Sequence, residues 1–110
     1  MTALACPDHL GELARLEWVR MSADLGEKLT TVDAPALAAY CVAYGRWKEA
    51  ELNIQKYGTV IRTGKGEDAK PTISPYIAVA EKSLEIMKQW LVELECTPKA
   101  RSSHKSEGWV

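Results

Sequence analysis

The sequence predicts a mainly α-helical subunit of three helices, with a small β-hairpin between the second and the third. Three observations carry this reading. Apolar residues recur at a period of 3.6 in three separate stretches, and each stretch is bounded by proline, glycine or a capping side chain. A β-branched run, Thr59-Val60-Ile61-Arg62-Thr63, interrupts that period between the second and third stretches.

The first helix is expected from Glu12 to Leu25. Pro7 and Asp8 form a start-like cluster ahead of it, and Leu10, Ala14, Trp18, Met21 and Leu25 fall on one face. Gly26 ends it. Thr31-Val32-Asp33-Ala34-Pro35 then offers a capping side chain and a proline suited to a first turn, so a second helix should run from about Val32 to Tyr57. Its apolar face is Leu37, Tyr40, Cys41, Tyr44, Trp47 and Ile54, and Gly58 stands where a left-handed residue closes a helix.

After Gly58, Thr59 to Thr63 reads as one strand, Gly64-Lys65-Gly66 as a turn, and Asp68 to Ile73 as a weak return strand. Pro71 has no amide to donate and confines that return to an edge. Ser74-Pro75 combines a capping hydroxyl with proline at the first helical position and starts the third helix, which should continue to about Glu95. Ile77, Ala80, Leu84, Met87, Leu91 and Leu94 form a seam at spacings of three and four. Val79, Ile86 and Trp90 make a second apolar row beside it. Two arrangements satisfy that width: the first two helices cover both rows within one subunit, or Val79, Ile86 and Trp90 form an interface between copies.

The chain of 110 residues fits one domain, with a helical core at about 10–96, a hairpin arm at about 59–73 and a flexible basic tail at about 97–110. A hydrophobic content of 46% and a charged content of 26% are those of a folded globular chain. No apolar run approaches the roughly 18 residues of a membrane span, and no export signal is visible, so the cytoplasm is the expected compartment. Cys6, Cys41 and Cys96 are odd in number and far apart, which suits separate reduced thiols.

The net charge of -1 gives no overall attraction to polyanions. Positive charge is instead local. Residues 56–70 carry four basic residues against two acidic ones, and residues 97–110 carry three against one. Arg62, Lys65, Lys70, Lys99, Arg101 and Lys105 are therefore the candidate nucleic-acid contacts. Any one of them also reads as an ordinary solubilising charge. In a ring each local excess is multiplied by the number of subunits, which yields salt-dependent binding with little sequence preference.

Chemical motifs point away from catalysis. A phosphate loop around Gly64-Lys65 needs glycine at position 59 and a hydroxyl at 66, where the chain has Thr59 and Gly66. Cys6 and His9 have the spacing of half a zinc site, but Cys41, the nearest further ligand type, lies on an apolar helical face. Glu81 and Glu85 are one turn apart beside Lys82 and Lys88, which is a solvated face. No metal, no cofactor and no enzymatic activity are expected.

The order of these features resembles the short helical type of phage small terminase subunit over roughly residues 7–101. The residues that carry it are Pro7, Leu10 and Trp18, then Leu29-Thr30 and Asp33 ahead of Leu37, Tyr40 and Trp47. Tyr57-Gly58-Thr59-Val60 opens the hairpin, Ser74-Pro75 occupies a position usually reading Asn-Pro, and Leu94 to Arg101 is similar to a closing Leu-Gly-Leu-Thr-Pro-x-x-Arg. Glu95 stands in place of the glycine and Cys96 in place of an apolar residue. Because glutamate takes the left-handed conformation less readily, the third helix is expected to run on or to stop differently from its relatives.

The resemblance implies a homo-oligomeric ring in the host cytoplasm that engages viral double-stranded DNA. It also implies recruitment of the large terminase subunit and regulation of that partner's ATPase and nuclease. Competing readings are a small helix-turn-helix regulator and a virion adaptor that binds only protein. The first would need a short turn before a basic recognition helix. The second helix instead balances Arg46, Lys48 and Lys56 against Glu49 and Glu51.

Overall fold

The computed structural model describes residues 4–98. Its order is α1 (Glu12–Leu25), α2 (Ala34–Tyr57), β1 (Val60–Thr63), β2 (Lys70–Ile73) and α3 (Pro75–Glu93), with single 3-10 turns at Gly26–Lys28, Thr31–Asp33 and Gly66–Asp68. The three-helix reading with an intervening hairpin is borne out. The expected tail lies largely outside the described residues. None of the described helices is long and apolar enough to cross a membrane.

Helices α2 and α3 begin for local reasons. The approach to α2 is held by a capping box at Thr30: its amide and its hydroxyl both donate to Asp33 Oδ2, at 3.1 and 3.0 Å. The first turn is consequently 3-10, and the α-helix begins at Ala34, two residues later than its sequence pattern suggested. Ser74 caps α3 by accepting a hydrogen bond from the Tyr76 amide at 3.3 Å. Its own amide donates to the Thr59 carbonyl at 2.8 Å, which ties the base of the hairpin to the helix start.

Helix α2 is the middle element, packed on one side by α1 and on another by α3. The core joins Leu10, Ala14, Trp18 and Met21 to Leu37, Ala38, Tyr40, Cys41 and Ala43, with Met87 from α3. Burial of side chains such as Trp18 and Leu37 contributes roughly 1.5–3 kcal/mol each. The Trp18 indole N–H donates to the Leu4 carbonyl at 3.2 Å, which satisfies its buried polar atom and fixes the chain ahead of α1. Gly45 sits inside α2 because α1 crosses there: a Cβ would lie 3.2 Å from the Ala14 amide nitrogen.

The buried face of α3 is centred on Ala80, Ser83 and Met87, rotated from the expected seam, so that Leu84 is 45% exposed. Ile86 and Trp90, from the second row, are half-buried against the core. The helix also ends in a way the sequence did not suggest. Glu95 takes the left-handed conformation, with φ 57°, and α3 stops at Glu93 rather than running on. The Cys96 amide donates to the Leu91 carbonyl at 2.8 Å and the Glu95 amide to that of Val92 at 3.0 Å. This paired pattern closes a helix in the manner usual for glycine, and here it imposes the conformation on glutamate. Glu95→Gly should therefore stabilise the fold by about 1 kcal/mol, measured by urea denaturation. An unchanged or lowered midpoint would show that the glutamate side chain offsets its backbone cost.

Candidate nucleic-acid interface

The hairpin pairs Val60 with Ile73, Ile61 with Thr72, Arg62 with Pro71 and Thr63 with Lys70. Directly opposed residues share a face, so Val60, Arg62, Pro71 and Ile73 lie on one side and Ile61, Thr63, Lys70 and Thr72 on the other. The hydroxyls of Thr63 and Thr72 are hydrogen-bonded at 3.1 Å across the second face. Ser74 bonds inward to Thr59, and the alternation of an antiparallel ladder then turns the backbone of Arg62 and Pro71 outward. Pro71 thus costs the ladder no hydrogen bond. Of the eight strand residues only Ile61 is partly covered, and none of the described helices packs extensively across either face. The ribbon projects from the helical core as an arm.

Three of the six candidate cations belong to this arm. Arg62 and Lys70 point from opposite faces and Lys65 lies in the connecting loop, all exposed. Gly64 makes the loop possible: it has φ 105°, and a Cβ there would lie 3.1 Å from the Asp68 carbonyl oxygen. Arg62 uses one N–H to reach the Ala69 carbonyl at 2.7 Å, which steadies the guanidinium and leaves its other donors outward. Lys99, Arg101 and Lys105 lie outside the described residues. The Gly64-Lys65 pair joins two antiparallel strands rather than a strand and a helix, so it forms no phosphate cradle. Among the described residues no group of three or more His, Cys, Asp or Glu is placed to hold a metal ion.

The candidate interface residues fall in a groove between α2 and α3. Val79 is 43% exposed, while Ile86 and Trp90 form a half-buried wall. The groove holds about 800 Å³ and is floored by small residues, among them Ala39, Ala43 and Ala78.

One feature escaped sequence reasoning. Glu17 is buried, its side chain 1% exposed, and it receives a bidentate pair from Arg20 at 2.6 and 2.7 Å together with the Tyr40 hydroxyl. Burial, and then the bond to Glu17, raise the Tyr40 pKa; the same carboxylate raises that of Arg20 through its hydrogen bond. Burial also pushes the neighbouring Cys41 thiol up to about 12, which makes it an inert core group. The signal was available: Glu17 lies three residues after Ala14 and four before Met21, within the apolar stripe of α1. The three groups pin α1 to α2 and stand apart from the arm and the groove.

A small helical protein with a projecting basic hairpin is the class that this arrangement defines. The family model described as "Phage terminase, small subunit" matches residues 14–108, and the chain belongs to that family, whose role is in packaging phage DNA. No curated protein and no solved structure matches the chain.

The buried triad yields an asymmetric prediction. Arg20, with its side chain 57% exposed, is the solvated partner, yet Arg20→Ala strands the Glu17 carboxylate in the core and should cost about 2–3 kcal/mol. Glu17→Gln removes the buried charge, leaves an acceptor for Tyr40 and should cost about 1 kcal/mol. Urea denaturation of both variants checks the order, and equal losses would mean that Glu17 is less isolated from water than its burial indicates.

Proposed function

We propose that this protein acts in phage DNA packaging as a non-catalytic homo-oligomeric ring in the host cytoplasm. In this reading it engages viral double-stranded DNA and recruits and regulates the large terminase, which carries the ATPase and nuclease chemistry. No cofactor is needed. The observation that carries the reading is an exposed arm on the helical core of a chain in this family, with Arg62, Lys65 and Lys70 against Glu67 and Asp68.

Arg62, Lys65 and Lys70 sit on both faces and the end of a narrow ribbon and are exposed. Exposed cations of this kind contact phosphates, which positions DNA without reading sequence. A monomer of net charge -1 attracts DNA poorly. A ring repeats the arm around one opening, and the local excess becomes a field that binds by release of counterions. Lys99, Arg101 and Lys105 would add a second basic segment to each subunit. Val79, Ile86 and Trp90 supply apolar surface for assembly.

Binding of the intact protein to duplex DNA, measured by fluorescence anisotropy across a salt series, tests this reading. The expected result is binding that falls steeply with salt and is at least tenfold weaker in the Arg62→Ala, Lys65→Ala, Lys70→Ala variant, with a shallower salt slope. Wild-type affinity in that variant would remove the arm from the interface. Absence of DNA binding by the wild-type protein at low salt would overturn the DNA role itself.

A further inference from the structure

The outward face of α1 carries an exposed apolar line between charged residues. Leu16 and Val19 are 60% and 61% exposed, and Ala23 continues the line at a spacing of four. This line lies on the side of α1 opposite Ala14, Trp18 and Met21, so α2 cannot cover it. The groove between α2 and α3 is the concave counterpart. Ala39, Ala43, Ala78 and Ser83 leave room for close backbone approach, and Ile86 and Trp90 wall it.

The two surfaces are compatible in length. The apolar line from Leu16 to Ala23 rises about 11 Å, or about 17 Å with Glu12 included, against about 18 Å for the stretch of α3 from Ala78 to Trp90 that lines the groove. They also match in charge. Among the described residues, the charged ones lining the groove are Arg46 and Lys82, both positive. Helix α1 carries the carboxylates of Glu12, Glu17 and Asp24 against Arg15 and Arg20, three minus two, with the exposed Glu12 one turn before Leu16 and Arg20 paired with Glu17 and Asp24.

We propose that the Leu16–Val19–Ala23 ridge of one copy docks in the α2–α3 groove of the next. This rests on the reading of the protein as a homo-oligomer and names the two unlike surfaces that join its copies. Because ridge and groove are different patches of one chain, the contact is head-to-tail, and its repetition produces a ring when the rotation closes. Leu16 and Val19 thereby become interface residues on the side facing Val79, Ile86 and Trp90.

The test uses two full-length variants altered only at exposed residues: a ridge variant, Leu16→Glu with Val19→Glu, and a groove variant, Val79→Glu. Circular dichroism and thermal melting confirm that each folds, and sedimentation velocity reads the assembly. Each variant alone should lose the wild-type assembly and sediment as a monomer. Mixed in equal amounts, they should form a heterodimer and nothing larger, since the intact ridge of one fits the intact groove of the other. Persistent monomers in the mixture would overturn the head-to-tail contact, as would wild-type assembly by either variant; in both cases the oligomer reading would stand. A monomeric wild-type protein would instead overturn both.

Discussion

Helix α2 is buried from two directions, and its composition follows from that constraint. Ala38, Ala43, Gly45 and Ala50 are small where neighbouring backbones come close, while Leu37, Tyr40 and Cys41 fill the remaining space. The Gly45 crossing shows the cost accepted: glycine within a helix loses roughly 0.5–1 kcal/mol relative to alanine, yet any side chain there presses on the Ala14 backbone. With α1 and α3 both committed to α2, none of the described elements covers the outer face of α1 or the shallow side of the α2–α3 pair. Exposed apolar surface of this kind suits contact with another molecule.

Those commitments also explain the arm. A two-stranded ribbon without a packed face is marginal by itself, and this one is held at its base, where buried Ser74 bonds to Thr59 on one side and caps α3 on the other. The stable end belongs to the helices, and the outer end carries Arg62, Lys65 and Lys70 into solvent. The chain has a net charge of -1, and the arm sets three cations beyond the helices against Glu67 and Asp68 in its loop.

Much of this was legible in the sequence wherever a local rule decided the outcome. Glu12–Leu25, the Ser74-Pro75 start and the hairpin between β-branched runs follow from periodicity, capping and turn chemistry. What was not legible depends on direction. Periodicity gives a helix an apolar side but not the bearing of its neighbour, so the seam read for α3 placed Ala80 and Met87 inward, as they are, but included the exposed Leu84 and left out the buried Ser83. Glu17 was hidden because a carboxylate within an apolar stripe reads as an exception until Tyr40 and Arg20 are seen around it. Glu95 failed the other way: the helix-closing hydrogen bonds from Cys96 and Glu95 outweigh its conformational preference. The cationic candidates in the arm were visible as a charge excess, and their separation onto two faces required the register.

In the proposed function the working unit is an assembly of copies, because both the exposed apolar faces and the multiplied arm depend on it. The most direct measurement is the solution mass of the purified wild-type protein by light scattering across a range of concentrations. A discrete mass of many subunits is the expected result. A monomer or a simple dimer throughout that range would contradict the account, because it would leave the α1 ridge and the α2–α3 groove without their partners and each arm acting alone.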